Sequence, residues 1–429
     1  MKPRRVVVTG MGMVTPLGLN TQETWSNLLA GKSGIAPISQ FDASGFPSRI
    51  AGEVKKFDFE RWKIKDPALR DAGRATFFAL EAAEEAFRDS RLRLFNMSSE
   101  RFGIYFGAGD SGQDFDAFVN TVASSWNQDG SLNRDAYVRS SLEIMSPLRE
   151  LEHQPFMTVT HLARHFDIRG PVANCLTACA ASSQAIGEAY EWIKGGTADV
   201  VMSGGSHSMI YPLGVAGFSL LTVLSKRNDE PEKASRPFEK NRDGFVMAEG
   251  AGVVILEELS HALKRRAKIY GEIVGYGSTA DAYRLTDMDP EGKSGVEAIR
   301  QALAKGNLTY QDIDYINAHG TSTTVNDATE TTVIKKVFKE KAHRIPASSI
   351  KSMLGHMIAA AGVVEAIVCF LAMRDSAVPP TINFDEADAE CDLDYVPNKT
   401  RRMAVHTAIS NSFGFGGQNI CLAMRRYDH

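Results

Sequence analysis

The chain is expected to fold as an α/β protein built from two similar halves, each a mixed sheet covered by helices. Three observations lead there. Short β-branched runs that end at glycines alternate with segments of helical periodicity. The order of these elements starts again near residue 265, which divides the chain into residues 1–265 and 266–429. No low-complexity stretch or linker separates the two parts, so one fused body is expected.

In order, Arg5 to Thr9 reads as a buried strand closed by a tight turn at Gly10-Met11-Gly12. Thr15 stands where a dinucleotide fingerprint needs its third glycine, which speaks against a Rossmann unit. Thr21 to Ala30 and Arg74 to Asp89 have amphipathic helical spacing, and Phe102 to Phe106 is a second strand ending at Gly107-Ala108-Gly109. Asp110 to Glu152 is polar and irregular, with a helix expected near Leu142 to Leu151. Cys175 to Ser183 leads into a helical pattern, Gln184 to Lys194, that keeps Ala185, Ile186, Ala189 and Ile193 on one face. Ala198 to Met202 is a strand ending in Ser203-Gly204-Gly205, and the loop Ser235 to Gly252 leads into a strand at Val253 to Glu257. Ile269 to Val274 then repeats the N-terminal opening. Val296 to Leu303 is a helix, and Ile313 to Ala318 parallels Phe102 to Phe106. Met357 to Met373, a buried helix, parallels the one after Cys179.

With 429 residues and 43% apolar composition the chain can bury a large core. Its net charge of −4 argues against nucleic acid as a partner. Five cysteines without regular spacing point to a reducing, cytoplasmic setting, and the longest apolar stretch, broken by Glu365, suits a core helix better than a membrane span. Arg61, Lys63, Lys65, Arg70 and Arg74 crowd into one short region that could receive an acidic partner.

The chemistry-bearing residues fall at element edges. Cys179 begins a helix among small residues, where unpaired N–H groups and the positive dipole end favour a thiolate. Asn317-Ala318-His319-Gly320-Thr321-Ser322-Thr323 puts a histidine at a strand end, and Lys351-Ser352-Met353-Leu354-Gly355-His356 puts another just before the buried helix. A thiolate with two imidazole N–H donors suits thioester chemistry: the sulfur attacks one carbonyl while the donors hold a second as it becomes enolate-like. Glu365 is the one charge between His356 and Arg374; in so apolar a helix it needs a partner, and Lys351 is the nearest cation in sequence. Asn411-Ser412-Phe413-Gly414-Phe415-Gly416-Gly417 reads as a glycine-rich loop after a strand at His406 to Ile409; it lacks the Lys-Ser/Thr pair of a nucleotide-binding P-loop.

Taken together, Thr177-Ala178-Cys179, the two histidine segments and the glycine loop stand in the order seen in β-ketoacyl-ACP synthases of the elongating type II, which the chain resembles over its whole length. The resemblance implies the thiolase fold, two similar halves in a layered α/β/α/β/α body. It also implies a decarboxylating condensation of an acyl thioester with malonyl-ACP, giving a 3-oxoacyl-ACP and CO₂ without a cofactor. By it Cys179 is the acylated nucleophile, His319 and His356 promote decarboxylation, and Lys351 with Glu365 supports them. The N–H groups of Cys179 and Phe415 form the oxyanion hole, Phe415 gates the acyl site, and Thr321 and Thr323 bind the phosphopantetheine arm. Asn317, Glu330, Glu365 and Asn411 stand where some relatives hold a monovalent cation. Lys63, Lys65, Arg70 and Arg74 are candidates for docking the acyl carrier protein. Ser349-Ile350-Lys351-Ser352-Met353 and Glu390 to Pro397 look closer to ketosynthases of type II polyketide systems, and the Asp110 to Glu152 segment is longer than in housekeeping fatty-acid synthases of this kind. That leaves two assemblies open, a homodimer or a heterodimer with a chain-length factor. A CoA thiolase is disfavoured because Cys369 and Cys421 lie off the glycine loop, and a non-catalytic partner subunit because Cys179 and both histidines are present.

Overall fold

The computed structural model describes residues 4–93, 97–109 and 114–428. Among them ten strands join in one sheet, in the spatial order Ala347–Ser348, Tyr315–Asn317, Thr407–Gly414, Gln418–Arg425, Gly271–Ala280, Val6–Val14, Gly250–Glu258, Val200–His207, Phe102–Ala108 and Val172–Cys175. The first five belong to the second half of the chain and the last five to the first half. Only Val6 to Val8 against Gly271 to Ile273 joins the two sets. Outward from that seam each set repeats the same connectivity, so the restart near residue 265 is a repeat of topology. Each half is mixed: its inner strands pair antiparallel, and Phe102–Ala108 and Tyr315–Asn317 pair parallel with both neighbours.

The layers follow from which helix faces are apolar. Ala181–Lys194 and Ala361–Asp375 pack on each other and on strands of both halves, so they form the middle layer. From Ala361 to Met373 every residue of the second is buried, which is why its sequence is apolar on all faces. Arg74–Ser90 covers the outer face of the first half and Lys293–Lys305 that of the second. Helix, sheet, helices, sheet, helix: this is the expected five-layer thiolase-like body.

Glycines account for three differences from the expected elements. The turn expected at Gly10-Met11-Gly12 is instead the middle of one nine-residue strand, Val6–Val14. A Cβ on Gly10 would lie 2.1 Å from the Ala86 carbonyl oxygen and one on Gly12 2.0 Å from that of Ala82. These residues let Arg74–Ser90 lie against the sheet rather than bending the chain. In the same way Ser203 to Gly205 continue the strand Val200–His207, and Asn411 to Gly414 are strand, the turn being confined to Phe415–Gly417. The helix expected at Leu142 to Leu151 is broken. Arg134–Ile144 ends at Met145, Ser146 caps the next helix by accepting from Arg149 N–H, and Pro147 opens it. Asp110 to Gln113 lie outside the described residues. No described helix is long and apolar enough to cross a membrane.

Candidate active site

The two middle helices carry the site at their N-terminal ends. A 3-10 turn, Ala178–Ala180, precedes Ala181–Lys194, and Ala178 adopts φ 47°, a left-handed conformation that costs a residue with a Cβ roughly 1–2 kcal/mol. This tight turn holds Cys179 at the helix head, 4% exposed. A second 3-10 turn, Ile358–Ala360, precedes Ala361–Asp375, with His356 just before it. The helices cross where Ser182 Oγ accepts from Val363 N–H at 3.0 Å and where a Cβ on Gly362 would meet Ser183 Oγ at 2.0 Å. A bare glycine at the crossing is what brings the two turns together.

The third group, His319, follows the strand Tyr315–Asn317. Its backbone N–H donates to Glu330 Oε1 at 2.9 Å and that of Gly320 to Glu330 Oε2 at 2.8 Å. Asp327, one helical turn earlier, accepts from Thr321 N–H and Ser322 N–H at 3.0 and 3.2 Å. Two buried carboxylates at i, i+3 on the helix Thr324–Phe338 thus clamp the whole His319–Ser322 loop.

The result is a cluster in which the Cys179 sulfur and one ring nitrogen of each of His319 and His356 lie within 4.8 Å of one another. The rings stand edge to face, with centroids 5.5 Å apart. Phe245 meets His356 edge-on and Phe413 meets His319. Cys179, both histidines, Thr321, Thr323 and Phe415 line one cavity of about 390 Å³. Thr321 and Thr323 share a hydroxyl hydrogen bond of 2.9 Å there.

Hydrogen bonds fix the proton on each ring. Ile358 N–H donates to His356 Nδ1 at 3.3 Å, so the proton sits on Nε2, which has no partner among the described residues. Lys351 faces three acceptors with its three protons: the His319 carbonyl oxygen at 2.7 Å, His319 Nδ1 at 3.4 Å, and Glu365. His319 Nδ1 therefore accepts too, leaving Nε2–H to donate. Burial, Lys351 and a neighbouring histidine push both imidazoles well below their usual range, so both are neutral donors at pH 7. Those tautomers also keep the ring lone pairs off the cluster, so it suits a carbonyl oxygen better than a metal ion, which needs a lone pair from each ligand. The ion pair of Lys351 and Glu365, both buried, is the pairing that the sequence demanded. Burial pushes Glu365 up, against the pull of Lys351.

One electrostatic expectation is reversed. Burial pushes the Cys179 thiol up to about 11, although Lys351 and the N–H groups of Phe415 and Cys179 pull it down. The helix-start effect is real but smaller than desolvation. At rest the sulfur is a thiol.

Two sets remain. Among the described residues Asn317 Oδ1, Glu365 Oε2 and Asn411 Oδ1 are buried without hydrogen-bond partners, so they keep lone pairs that a monovalent cation would satisfy. Glu330, also named for that role, is already engaged by His319, Gly320 and Asn411, and burial pushes it up to about 7. Of the basic cluster, Arg61, Lys63 and Lys65 pair with Glu81, Glu60 and Glu84, and Arg74 with the buried Glu249. Arg70 is exposed at the rim of a second cavity. Sequence reading missed Asp327, Phe245 and Phe413; an acid three residues before Glu330 was the available signal for the first.

The N-terminal domain description of beta-ketoacyl synthases matches residues 3–262 and the C-terminal domain description residues 270–385. A 3-oxoacyl-[acyl-carrier-protein] synthase 2 of Coxiella burnetii is 42% identical over 99% of both chains. That of Synechocystis is 42% identical over 100% of this chain and 99% of its own. Among solved structures, a ketosynthase complex described as a type II PKS acyl-carrier protein with its ketosynthase bound to the hexaketide aligns over 100% of both chains, at 35% identity and TM-score 0.87. The ishigamide ketosynthase/chain length factor aligns over 99% of this chain and 100% of its own, at 32% identity and TM-score 0.87.

Proposed function

The chain belongs to the beta-ketoacyl synthase family, and from that premise we propose how its own residues carry out the condensation. It is an acyltransferase that joins an acyl thioester to malonyl-ACP, yielding a 3-oxoacyl-ACP and CO₂. Cys179 sulfur attacks the carbonyl of the incoming acyl-ACP. The N–H groups of Cys179 and Phe415 take the developing oxyanion, the thiol of the carrier leaves, and the acyl group stays on sulfur. Malonyl-ACP then enters with its arm against Thr321 and Thr323. Its thioester oxygen accepts from His319 Nε2–H and His356 Nε2–H, so that loss of CO₂ leaves an enolate held by two neutral donors. The enolate carbon attacks the Cys179 thioester and the sulfur leaves. Lys351 and Glu365 are positioning residues, fixing the His319 tautomer. The observation that carries this reading is the meeting of one thiol and one ring nitrogen from each of two neutral imidazoles within 4.8 Å at the crossing of two buried helices.

The steps separate on substitution. Cys179→Ala removes acyl transfer and condensation, whereas His356→Ala slows decarboxylation and spares acylation of Cys179. Intact-mass analysis of the acyl-enzyme, beside release of labelled CO₂ from malonyl-ACP, reads the two apart. Unchanged condensation in Cys179→Ala, or equal loss of both steps in His356→Ala, overturns the assignment.

We assign the carrier-docking role chiefly to Arg70, whose neighbours Lys63, Lys65 and Arg74 already have carboxylate partners. Asn317, Glu365 and Asn411 are assigned to a monovalent cation, which would fix the floor beneath the histidines by charge alone. The protein works as a dimer in the cytoplasm, without a cofactor. The edge strand Val172–Cys175 has one unpaired side, and Trp126, Leu142, Leu148, Val172 and Leu176 are exposed apolar residues in need of cover. A second copy of the chain is the simplest cover, and a chain-length factor the alternative favoured by the ishigamide neighbour. Sedimentation of the chain expressed alone decides: a stable dimer supports the first, an insoluble or monomeric chain the second.

A further inference from the structure

A cavity of about 770 Å³ lies beside the cluster just described and has a polar wall that the condensation does not use. It adjoins the Cys179 surroundings: Phe41 and Met209 line it and also pack on the apolar cluster that contains Cys179. Most polar groups of its wall satisfy one another. Arg74 Nε, Gln40 Nε2 and Ser208 Oγ all donate to the buried carboxylate of Glu249, at 3.0, 3.1 and 2.7 Å. Thr76 and Thr158 share a hydroxyl bond of 2.8 Å.

His207 does not fit that pattern. It ends the strand Val200–His207, is 2% exposed, and lines the cavity. Neither Nδ1 nor Nε2 has a hydrogen-bond partner among the described residues. Burial lowers its pKa to about 4, so at neutral pH the ring is uncharged and offers one N–H donor and one lone pair. A buried imidazole with both nitrogens idle is costly unless something that enters the cavity engages them. A saturated hydrocarbon chain cannot, since it would replace whatever wets the ring and leave the donor unmet.

We propose that His207 is a specificity residue that donates a hydrogen bond to an oxygen on the growing acyl chain, so that this chamber takes chains that keep carbonyl or hydroxyl groups in preference to saturated ones. This rests on the reading of Cys179 as the acylated nucleophile and adds the class of acyl group. A site whose buried donor meets an oxygen rejects the analogue without it, because the donor is then stranded.

The test uses the full-length protein and a set of C8 acyl carrier protein thioesters, octanoyl and chains bearing one ketone at a carbon from 3 to 7. Formation of the Cys179 acyl-enzyme is followed by intact mass. In the native protein at least one ketone position is expected to react about tenfold faster than octanoyl, the value of roughly one good hydrogen bond. His207→Phe should erase that preference while still accepting octanoyl, and His207→Gln, which keeps a donor, should retain much of it. Equal rates for all chains in the native protein, or a preference unchanged in His207→Phe, would overturn the proposal. If His207→Phe fails to fold, the native scan together with His207→Gln decides. Absence of acylation by every chain would instead strike at the role of Cys179 and so at the condensation itself.

Discussion

Replacing Lys351 by methionine tests how far the buried ion pair organises the site. Methionine keeps much of the stem but removes all three N–H donors, so Glu365, the His319 carbonyl and His319 Nδ1 lose their partner together. Breaking one side of a buried pair costs about 3–5 kcal/mol, because the remaining charge is left without compensation. Glu365 is already held above the usual carboxylate range by burial, with Lys351 as the opposing influence. Without the lysine its folded-state pKa climbs further above the unfolded one. A group raised in this sense contributes stability below its unfolded pKa and loses it as pH rises, so the deficit of Lys351→Met relative to the native protein should grow from about pH 4 to pH 8. Glu365→Leu alone strands the lysine. The double variant Lys351→Met/Glu365→Leu leaves neither charge and should be more stable than the sum of the singles implies, by at least ~1 kcal/mol. Urea unfolding of all four proteins at both pH values measures this. The chemistry should separate too: with His319 Nδ1 unpinned, malonyl decarboxylation should fall about 10²-fold or more while acyl transfer to Cys179 falls far less. Additive stability losses, or a deficit indifferent to pH, would refute the argument.

Other consequences are open to simpler measurements. Gly362→Ala should lower condensation sharply in a folded protein by forcing the middle helices apart, and Ser183→Ala in the same chain should restore part of the rate; no rescue would contradict the crossing as the spacer. Alkylation of Cys179 by iodoacetamide should rise close to tenfold per pH unit between pH 7 and 9, since the thiol titrates near 11; a plateau near neutral pH would mean that the helix start outweighs burial. His207, lowered to about 4 by burial, binds a proton more readily unfolded than folded, so the stability it confers is present above about pH 6.5 and is lost as pH falls toward 4, by up to about 3 kcal/mol. Urea midpoints for His207→Phe should therefore fall less between pH 7 and 4.5 than those of the native protein.

What could be read from the chain depended on whether a residue's task is local. Cys179, His319 and His356 stood out because each sits at the edge of an element, and Glu365 because a charge in a wholly apolar helix demands a partner that Lys351 supplies. Periodicity likewise exposed the repeated order of strands and helices. It failed at Gly10 and Gly12, which it read as a turn, and at Gly204 and Gly205, which it read as the end of a strand. Those glycines lie inside strands, and the close approach they permit is to elements far away in sequence: the Ala82 and Ala86 carbonyls for the first two, Gly252 and Ala359 for the others. The ionisation of Cys179 failed for the same reason. A helix start is a local feature and favours the thiolate, but the desolvation that outweighs it comes from Phe245, Met247 and Ile358, which only the folded chain gathers around the sulfur.

That reversal bears on how the site works. A thiol held near 11 is a poor nucleophile while the cavity is empty, and it is protected from alkylation and oxidation for the same reason. Neither histidine can take its proton in the tautomers fixed by Ile358 N–H and Lys351, because each Nε2 already carries one. The sulfur must therefore give up its proton as the acyl carbonyl arrives, and the departing thiolate of the carrier is the group that takes it up. The two backbone N–H groups that now lower the thiol's pKa are the ones that the developing oxyanion would use. Activation is thus coupled to occupancy: the groups that stabilise a thiolate and those that stabilise the tetrahedral intermediate are the same pair, available to one at a time. Delaying ionisation until a substrate carbonyl is present lets a reactive cysteine remain inert between turnovers, and burial accomplishes this without any moving part.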